Sequence, residues 1–598
     1  MALFTPSESP AVVVREIDLT GGVPNVQSTT GAVVGNFQWG PVLQRTAVSN
    51  EAELVENFGS PADANAVDFL SATQFLRYSS SLQVVRNIDN STLSAFSLQG
   101  TTGATPDSNG SVVIDNPLVL STENFNTRQS TLEAVLDSDE NQGYGFIARY
   151  PGFLGSSLAV ALCPADSTGT VFDGWRYKSS FDAAPVTTSF ASVVKQASND
   201  EVHVAVVDQA GLITGTRGTI LETYPNCSIL SDAKGDDGQS IYAKDVINAK
   251  SQYVYMANFD TELEAKGAGG ASALLINYGL DSTVDRLHDL SSGLNSGTLA
   301  VADIQEGFDL FEDKDQVEVD FLIAPGMSAR ADQTTVVNDL VTTAQSTRKD
   351  CVVVTSPART DIVGVTSDAT KVTNAVTTAA TFTKSSYLVA DNNYVKVYDK
   401  YNDKYVEIPA ASTVAGIMAA TDFNRAPWFS PAGSRRGQML GITSLNYSPT
   451  KGQRDTLYKA GINPIANIPG QGSLLFGDKT FLGRVSAFDR INVRRLFLVL
   501  ERAIGKAAEQ VLFEFNDEFT RAEFVNIVEP VLREVQGRRG ITDFRVVCDA
   551  TNNTAAVIDR NEFKADIFIK PARSINYVTL SFVAVRTGVD FEEVVGTV

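Results

Sequence analysis

The chain has few of the residues on which catalysis and covalent cross-linking depend. Its 598 residues include only two histidines and four cysteines, and the cysteines, Cys163, Cys227, Cys351 and Cys548, are widely scattered. They form no CxxC pair and have no nearby histidine that would complete a zinc site, so we interpret them as reduced core residues. This cysteine usage favours synthesis in a reducing cytoplasm.

Long hydrophobic runs and targeting signals are also missing. The opening residues, MALFTPSESP, lack the basic and apolar regions of a secretory signal. No stretch of about 18 apolar residues is present that could span a bilayer. We therefore expect no membrane insertion.

Motifs for enzymatic chemistry are absent as well. No HExxH, GxSxG or P-loop occurs, and the glycine run Gly267–Gly270, which we interpret as a turn, lacks the spacing of a dinucleotide-binding loop. His203 lies in a strand pattern and His288 in a helical pattern, far apart in the sequence, which favours structural roles for both. The sequence predicts no catalytic, cofactor-binding or metal-binding residues and a protein that is not an enzyme. A cytoplasmic enzyme with oligomerising arms is the alternative from another functional class.

Two acidic clusters come nearest to a cation site. Glu312–Asp315 begins like an EF-hand loop, but Val317 and Glu318 stand where the third ligand and the central glycine belong, and Ala324 replaces the closing glutamate. We interpret this cluster and the second one, Asp517–Glu518, as solvated turns or helix caps.

Positive charge is scarce in the first two thirds of the chain. The net charge is −22, from 48 basic and 70 acidic residues. Met1–Ala420 holds 25 basic and 50 acidic residues, a balance of −25, whereas Thr421–Val598 holds 23 and 20, a balance of +3. An acidic exterior favours solubility and offers no basic cluster that could neutralise phosphates. We expect no direct binding to nucleic acid.

What the sequence does contain is an alternation of helices and strands. The elements predicted near the start are a strand at Thr30–Phe37, helices at Asn50–Phe58 and Ala66–Tyr78, and a strand at Leu82–Arg86. From Asn87 to Asn141 the composition shifts to Ser, Thr, Asn and Gly, which indicates an inserted β-rich module. The alternation returns with a helix at Ala331–Thr347, a buried strand at Cys351–Thr355, and a hairpin of Asn393–Tyr398 with Tyr405–Ile408.

The C-terminal region carries the clearest helix signals. Thr520 as N-cap and Glu523 three residues later predict a capping box, with Phe519 and Phe524 as a hydrophobic staple, and the helix is expected to end near Gly537. The elements predicted after it are strand Phe544–Cys548, a short helix Ala555–Arg560, and strands Ala565–Lys570 and Ile575–Arg586.

Both ends of the chain are strand-like without a local partner. Ala11–Leu19 is β-branched and is followed by a Gly-Gly break, and Val589–Val598 follows the last predicted strand. Each segment either pairs within its own chain or adds to the sheet of a neighbouring molecule through main-chain hydrogen bonds. We interpret them as inter-subunit strand arms, with these pairing candidates: Val12, Val13, Val14, Ile17, Val589, Phe591, Val594 and Val595.

Phe488–Gln510 has the spacing of an amphipathic helix with a basic side. At about 100° per residue, one side collects Val493, Leu496, Phe497, Leu500, Ala503, Ile504 and Ala507. The opposite side holds Arg495, Arg502 and Lys506, with Arg494 at its edge. Either this basic side is an ordinary solvated face, or its arginines dock on an acidic partner surface.

Several long segments of the C-terminal region have distinctive amino-acid sequences. They are PWFSPAG (Pro427–Gly433), GINPIANIPGQG (Gly461–Gly472), FDRINVRRL (Phe488–Leu496), FEFNDEFTRAEF (Phe513–Phe524), QGRRGITDFRVVCD (Gln536–Asp549), NNTAAVIDRNEF (Asn552–Phe563) and IKPARSINYVTLSFVAVRTGV (Ile569–Val589). In this order they closely resemble the contractile tail sheath proteins of long-tailed, myovirus-type bacteriophages. TGAVVGNFQWGPV (Thr30–Val42) and FGSP (Phe58–Pro61) are similar to the family's start, whereas Asn87–Asp350 matches weakly.

The resemblance implies a structural subunit that polymerises as stacked rings in a helical sheath around a rigid tail tube. It implies an extended, metastable assembly without cofactors, which contracts on a baseplate trigger and drives the tube through the host envelope for genome delivery. The implied partners are further copies of the chain, the tail tube protein, and the baseplate and tail terminator proteins. The implied location is the virion tail sheath, assembled in the host cytoplasm. The sheath of a phage-derived injection machine without a genome is the alternative within this class.

With this resemblance, the basic side formed by Arg494, Arg495, Arg502 and Lys506 becomes a candidate tube-facing helix. The predicted fold class is α+β and multidomain: an α/β-type inner assembly domain, nested and protruding β-rich domains, and extended N- and C-terminal strand arms. The predicted domains are an N-terminal linking arm (1–20), a first part of the core (21–86), an inserted outer β-rich domain (87–148), a second protruding domain (149–345), a return to the core (346–425), a C-terminal inner sheath domain (426–587) and a C-terminal linking arm (588–598).

Overall fold

The structure, a computed structural model, describes residues 29–88, 94–100, 143–166, 168–256, 287–291, 293–295 and 298–575. Its strands are β1 (Gly31–Gly35), β2 (Arg45–Val48), β3 (Leu82–Arg86), β4 (Phe96–Gly100), β5 (Gly143–Ala148), β6 (Leu158–Pro164), β7 (Glu201–Asp208), β8 (Thr219–Ser228), β9 (Val254–Met256), β10 (Leu287–Asp289), β11 (Phe321–Ile323), β12 (Val352–Thr355), β13 (Leu388–Asp391), β14 (Tyr394–Asp399), β15 (Lys404–Pro409), β16 (Ser444–Leu445), β17 (Ile462–Asn463), β18 (Ile465–Ile468), β19 (Gly472–Leu475), β20 (Ile541–Val547) and β21 (Asp566–Pro571).

The helices are α1 (Glu51–Phe58), α2 (Ala66–Leu76), α3 (Thr170–Gly174), α4 (Ala243–Lys250), α5 (Val301–Asp309), α6 (Arg330–Thr342), α7 (Arg359–Ile362), α8 (Asp368–Ala379), α9 (Ala411–Asn424), α10 (Lys451–Lys459), α11 (Ile491–Glu509), α12 (Glu518–Gly537) and α13 (Ala555–Ile558). Among the helices that the structure describes, none is long and apolar enough to cross a bilayer. The mixture of helices and sheets agrees with the predicted α+β class.

The chain divides into two compact units. The larger unit consists of Gln27–Pro427 and Pro431–Arg494, and the smaller one of Met1–Val26, Trp428–Ser430 and Arg495–Val598. The division falls inside α11, between Arg494 and Arg495.

A seven-stranded sheet forms the centre of the larger unit, in the order β17-β13-β12-β11-β1-β3-β2. All neighbours are parallel except β2, which runs antiparallel to β3. Strands such as VVVT in β12 are buried throughout, as is typical of parallel sheets covered on both faces. Ala32 and Val34 pack in one apolar core with residues of α5 and α6. Helix α5 lies so close to β1 that a Cβ on Gly307 would stand 2.4 Å from Val34 Cγ1.

Strand pairing in this sheet shifts two of the predicted domain boundaries. β11 lies within residues 149–345, the predicted second protruding domain, yet it pairs with β1 and β12 in the middle of the sheet. β17 lies within residues 426–587, the predicted C-terminal domain, yet it pairs with β13. Main-chain hydrogen bonding joins these strands regardless of their distance in sequence, so the core resumes before residue 346 and continues to Asn463.

Two antiparallel sheets form the part of the larger unit between β3 and β11. One has the order β10-β6-β7-β8 and the other β4-β5-β9. The helical pattern around His288 is wrong, because β10 pairs with β6 and His288 lies opposite Val160. Most of the predicted module at 87–148 and the glycine run Gly267–Gly270 lie outside the described residues.

Most local predictions in the larger unit are confirmed. Asn50 caps α1 by accepting a hydrogen bond from Glu53 N, and β14 pairs with β15 as the expected hairpin. All four cysteines are buried and form no disulfide with one another. Burial raises the pKa of the Cys227 thiol to about 12, which suits an unreactive core residue.

Candidate assembly surfaces

The two terminal arms lie outside the described residues. This applies to all eight pairing candidates: Val12, Val13, Val14, Ile17, Val589, Phe591, Val594 and Val595. It also applies to the predicted strand Ile575–Arg586, apart from its first residue. The pairing of the arms therefore stays a prediction.

A two-stranded hairpin in the smaller unit is the described element best suited to receive an added strand. β20 and β21 are antiparallel, with Phe544 opposite Ile569 and Arg545 opposite Phe568, and a register shift near Asp543. Within the described part of the chain, each of them pairs only with the other. β20 packs against α12, and the outward side chains Arg545 and Phe568 are exposed. Two strands alone leave one edge of main-chain groups open on each strand.

Helix α12, which supports this hairpin, begins three residues before the predicted start. Asp517, not Thr520, is the N-cap, and its carboxylate accepts a hydrogen bond from Thr520 N at 2.8 Å. The predicted staple is wrong, because Phe519 is exposed while Phe524 is buried against Phe563. Asp and Thr are both good N-caps, so the sequence offers two possible starts, and the earlier one buries Thr520 within the helix. The helix ends at Gly537 as predicted.

The segment that leads from α11 into the first residues of α12, which we name the aromatic loop (residues 512–519), exposes four large apolar side chains. They are Leu512, Phe513, Phe515 and Phe519. The sequence pattern did not reveal this feature, because FEF before a helix start is equally compatible with core packing. Acidic residues stand between the exposed phenylalanines in the sequence, and this mixture of aromatic and acidic residues is the signal that could have identified the loop.

The basic side of α11 is less exposed than its spacing predicted. Arg494 and Arg495 are buried, as are all the other residues from Ile491 to Leu496, so this first part of the helix has no exposed side. Arg502 and Lys506, farther along, are half-buried. The predicted apolar side is largely confirmed, since Val493, Leu496, Leu500, Ala503 and Ala507 are buried.

Arg494 is held by its neighbours in the larger unit. Its Nε and Nη2 donate to Ser386 Oγ at 3.1 and 2.8 Å. Its guanidinium lies 4.3 Å from the centre of the Tyr387 ring and 4.1 Å from that of Phe488. One turn earlier, Arg490 Nη1 donates to Asp478 Oδ1 at 2.9 Å. Two arginines therefore anchor the start of α11. These contacts explain the presence of Arg494 without any contact to a partner.

Both histidines are buried in the four-stranded sheet β10-β6-β7-β8. His203 Nε2 donates to Ala183 O at 2.8 Å, and its Nδ1 accepts from Asn226 N at 3.1 Å. Its ring stacks on Phe181 with centroids 4.6 Å apart. Burial lowers the pKa of His203 below its ordinary value and that of His288 to about 4.

No group of three or more His, Cys, Asp or Glu in the described residues is arranged to hold a metal ion. The cluster Glu312–Asp315 forms a turn after α5, in which Asp313 Oδ1 accepts from Asp315 N. Asp517 and Glu518 cap and begin α12. The interpretation of both clusters as turns or caps is confirmed for these residues.

The fold is that of solved tail sheath proteins. It matches the sheath tail protein of Listeria innocua over 92% of this chain and 97% of that chain, with a TM-score of 0.52 at 11% identity. A sheath tail protein of Desulfitobacterium hafniense matches over 90% of this chain and 94% of that chain, with a TM-score of 0.50 at 10% identity. Both likenesses show a shared fold.

Sequence comparison goes further than the fold. Residues 297–481 match the family described as phage tail sheath protein central domain, and residues 485–584 match the phage tail sheath C-terminal domain. The tail sheath protein of Enterobacteria phage T4 is 33% identical over 98% of this chain and 99% of its own length. That of Vibrio phage KVP40 is 32% identical over 98% of this chain and 99% of its own length. The chain belongs to the phage tail sheath protein family, a family of structural proteins, and is a contractile sheath subunit.

Proposed function

We propose that this subunit polymerises around a tail tube in an extended, metastable state and contracts to drive the tube through the host envelope. Its partners in this proposal are further copies of the chain, the tail tube protein, and the baseplate and tail terminator proteins. Assembly takes place in the host cytoplasm, and the subunit carries no catalytic activity. The related sheath proteins belong to phages, which favours genome delivery over an injection machine without a genome.

In this proposal the smaller unit and the seven-stranded sheet form the inner assembly part of the subunit. The antiparallel sheets between β3 and β11 form the protruding modules, and residues 1–20 and 588–598 are the linking arms. Contraction then consists of rigid bodies that rotate about strand-linked joints between two packings of unequal free energy. A small difference per subunit adds up over many subunits.

The observation that carries the proposal is the hairpin β20–β21. Among the described residues, β20 and β21 pair only with each other. A neighbour's arm can therefore extend this sheet at either edge. Each main-chain hydrogen bond contributes about 0.5–1.5 kcal/mol net, so an added strand of about eight residues contributes several kcal/mol. When each subunit both donates and receives arms, the links reinforce one another.

The test uses proline to remove main-chain donors from the N-terminal arm. The full-length double variant Val13→Pro/Ile17→Pro, and a chain lacking residues 1–20, should both stay monomeric when the wild type forms sheath-like polymers. The matched control Val13→Thr/Ile17→Thr keeps every main-chain N–H and should still polymerise. Sedimentation and electron microscopy of the concentrated proteins give the readout. Polymers of normal length from the proline variant or the truncated chain would refute arm-mediated assembly.

A further inference from the structure

The aromatic loop has the character of a contact surface. The Phe513 side chain is fully exposed, and Phe515 and Phe519 are more than three quarters exposed. Glu514 and Glu518 are also exposed. Each phenylalanine carries apolar area that would be favourable to bury, of about 150–250 Å² per ring. Such clusters on a folded surface mark sites of association.

The loop is held firmly in the conformation that exposes these rings. Asn516 Nδ2 donates to Glu562 O at 2.8 Å and to Asn553 Oδ1 at 3.1 Å, and Asp517 caps α12. Phe513 has a φ of 69°, in the left-handed region that a bulky residue rarely adopts. This backbone costs of the order of 1–3 kcal/mol and persists only where the surroundings impose it. The exposure is therefore built into the fold of the smaller unit.

A surface of opposite charge occurs in the larger unit, which we name the basic surface: Phe423, Arg425, Arg435 and Arg436. Phe423 is 80% exposed, and the side chains of Arg425 and Arg435 are exposed too. Arg435 and Arg436 are neighbours in the sequence, and the pKa of Arg436 is lowered first by burial and then by the charges of Arg425 and Arg435. Between residues 422 and 440 only Asp422 is acidic. The surface combines an exposed ring with concentrated positive charge.

We propose that the aromatic loop of one copy docks on the basic surface of a second copy. The two surfaces are complementary in charge, and each supplies exposed aromatic area that the contact would bury. Because they are different patches of the same chain, the contact is head-to-tail, and repeated head-to-tail contacts build closed rings or open helical polymers. The inference deepens the proposed sheath function and rests on self-assembly of this chain.

Charge exchange between the two surfaces tests the docking. Full-length Glu514→Lys/Glu518→Lys and full-length Arg425→Glu/Arg435→Glu should each raise the critical concentration for polymerisation at least tenfold, because each places like charges in contact. A variant with all four changes should polymerise near the wild-type concentration, since the attraction is restored with exchanged signs. Glu523→Lys/Asp559→Lys, two exposed acidic residues of the smaller unit outside the loop, is the matched control and should behave as the wild type.

Every variant carries changes at exposed positions, and circular dichroism and thermal melting verify that each monomer is folded. Loss of polymerisation without rescue in the fourfold variant overturns the pairing of these two surfaces. Normal self-polymerisation of Glu514→Lys/Glu518→Lys also overturns it, and if the same variant fails to assemble on purified tail tubes, the loop binds the tube instead. These outcomes are separate from a failure of the proposed function, in which the proline variant of the arm would polymerise as well.

Discussion

Arg494 shows how a single side chain can change role between sequence and structure. Helical spacing predicted the apolar neighbours Val493 and Leu496 correctly, because that pattern depends only on local geometry. The partner of Arg494 is Ser386, 108 residues away, and no local pattern contains that information. The charge was visible in the sequence, whereas its burial depends on tertiary contacts.

Replacing Arg494 by alanine should destabilise the folded monomer by about 2–4 kcal/mol. The change removes two buried hydrogen bonds and a cation–π contact with two rings, and it leaves a cavity. Arg494→Lys should recover only part of the loss, because lysine lacks the planar fork that bonds and stacks at once. Urea denaturation followed by circular dichroism provides the measurement.

The control is Arg484→Ala, which removes an exposed arginine from the loop that precedes α11. It should change the unfolding free energy by no more than about 0.5 kcal/mol. Equal effects of the two alanine variants would contradict an anchoring role for Arg494.

At the scale of elements, the sheet β10-β6-β7-β8 differs from the central sheet in its response to acid. The fold keeps His203 and His288 neutral, since burial lowers both pKa values. A neutral Nδ1 is also needed to accept the hydrogen bond from Asn226 N. Their contribution to stability is present above the ordinary histidine pKa of about 6.5 and is lost as the pH falls towards the folded pKa values.

The central sheet contains a buried carboxyl group that makes the folded state more stable, not less, when the pH falls. Burial raises the pKa of Asp391 at the end of β13 to about 7, although Asn393 N and Ser356 Oγ donate hydrogen bonds to it. A raised carboxyl pKa disfavours folding progressively as the pH rises from the ordinary aspartate pKa of about 3.9 to about 7, and this cost disappears below that range. Acid therefore destabilises the sheet β10-β6-β7-β8 and removes an unfavourable ionisation from the central sheet.

Hydrogen exchange at about pH 7.5 and about pH 5, corrected for intrinsic rates, should show this difference. We expect amides of β6, β7 and β10 to lose protection at the lower pH, while those of β12 and β13 keep theirs. His203→Asn places an uncharged acceptor near the Nδ1 position and should reduce the pH dependence around β7. Uniform loss of protection in both sheets would contradict the assignment to the histidines.

Elements with strong local signals were predictable from sequence, and those shaped by pairing were not. The cap at Asn50 and the hairpin β14–β15 depend on a few adjacent residues, and both are confirmed. β10 has three residues, and its partner β6 lies more than 120 residues earlier, so helical spacing around His288 was misleading. The start of α12 was ambiguous because two capping residues compete within four positions.

For the whole molecule, the sequence predicted the class of subunit better than its internal boundaries. The resemblance in the C-terminal region is confirmed by matches along nearly the full chain. The boundaries at 346 and 426 were inferred from changes in composition, whereas the sheet takes β11 and β17 from beyond them. The assembly surfaces depend on exposure, which composition alone does not reveal.

Charge reversal late in α11 tests whether this helix contacts the tube. Arg502→Glu/Lys506→Glu should weaken assembly on purified tail tubes more than self-polymerisation, because these two half-buried residues retain some exposure whereas Arg494 and Arg495 are buried. Co-sedimentation with tubes, beside sedimentation of the sheath protein alone, gives the two readouts. Glu501→Lys/Glu509→Lys, on the same helix, is the matched control with opposite sign. Equal loss in both assays, or in neither, would count against contact with the tube.

The pairing of β1 with β11 has a consequence for synthesis on the ribosome. Thr30 and Asp320, which join the two strands, are 290 residues apart. At about 5–20 residues per second, β1 waits of the order of 15–60 s after leaving the exit tunnel for this neighbour. During that interval the edge of β1 that later pairs with β11 is open, and exposed strand edges of this kind are prone to misassociation. Slower translation would lengthen the wait and cooling would weaken hydrophobic misassociation, so the yield of native subunit depends on how the cell manages this early strand.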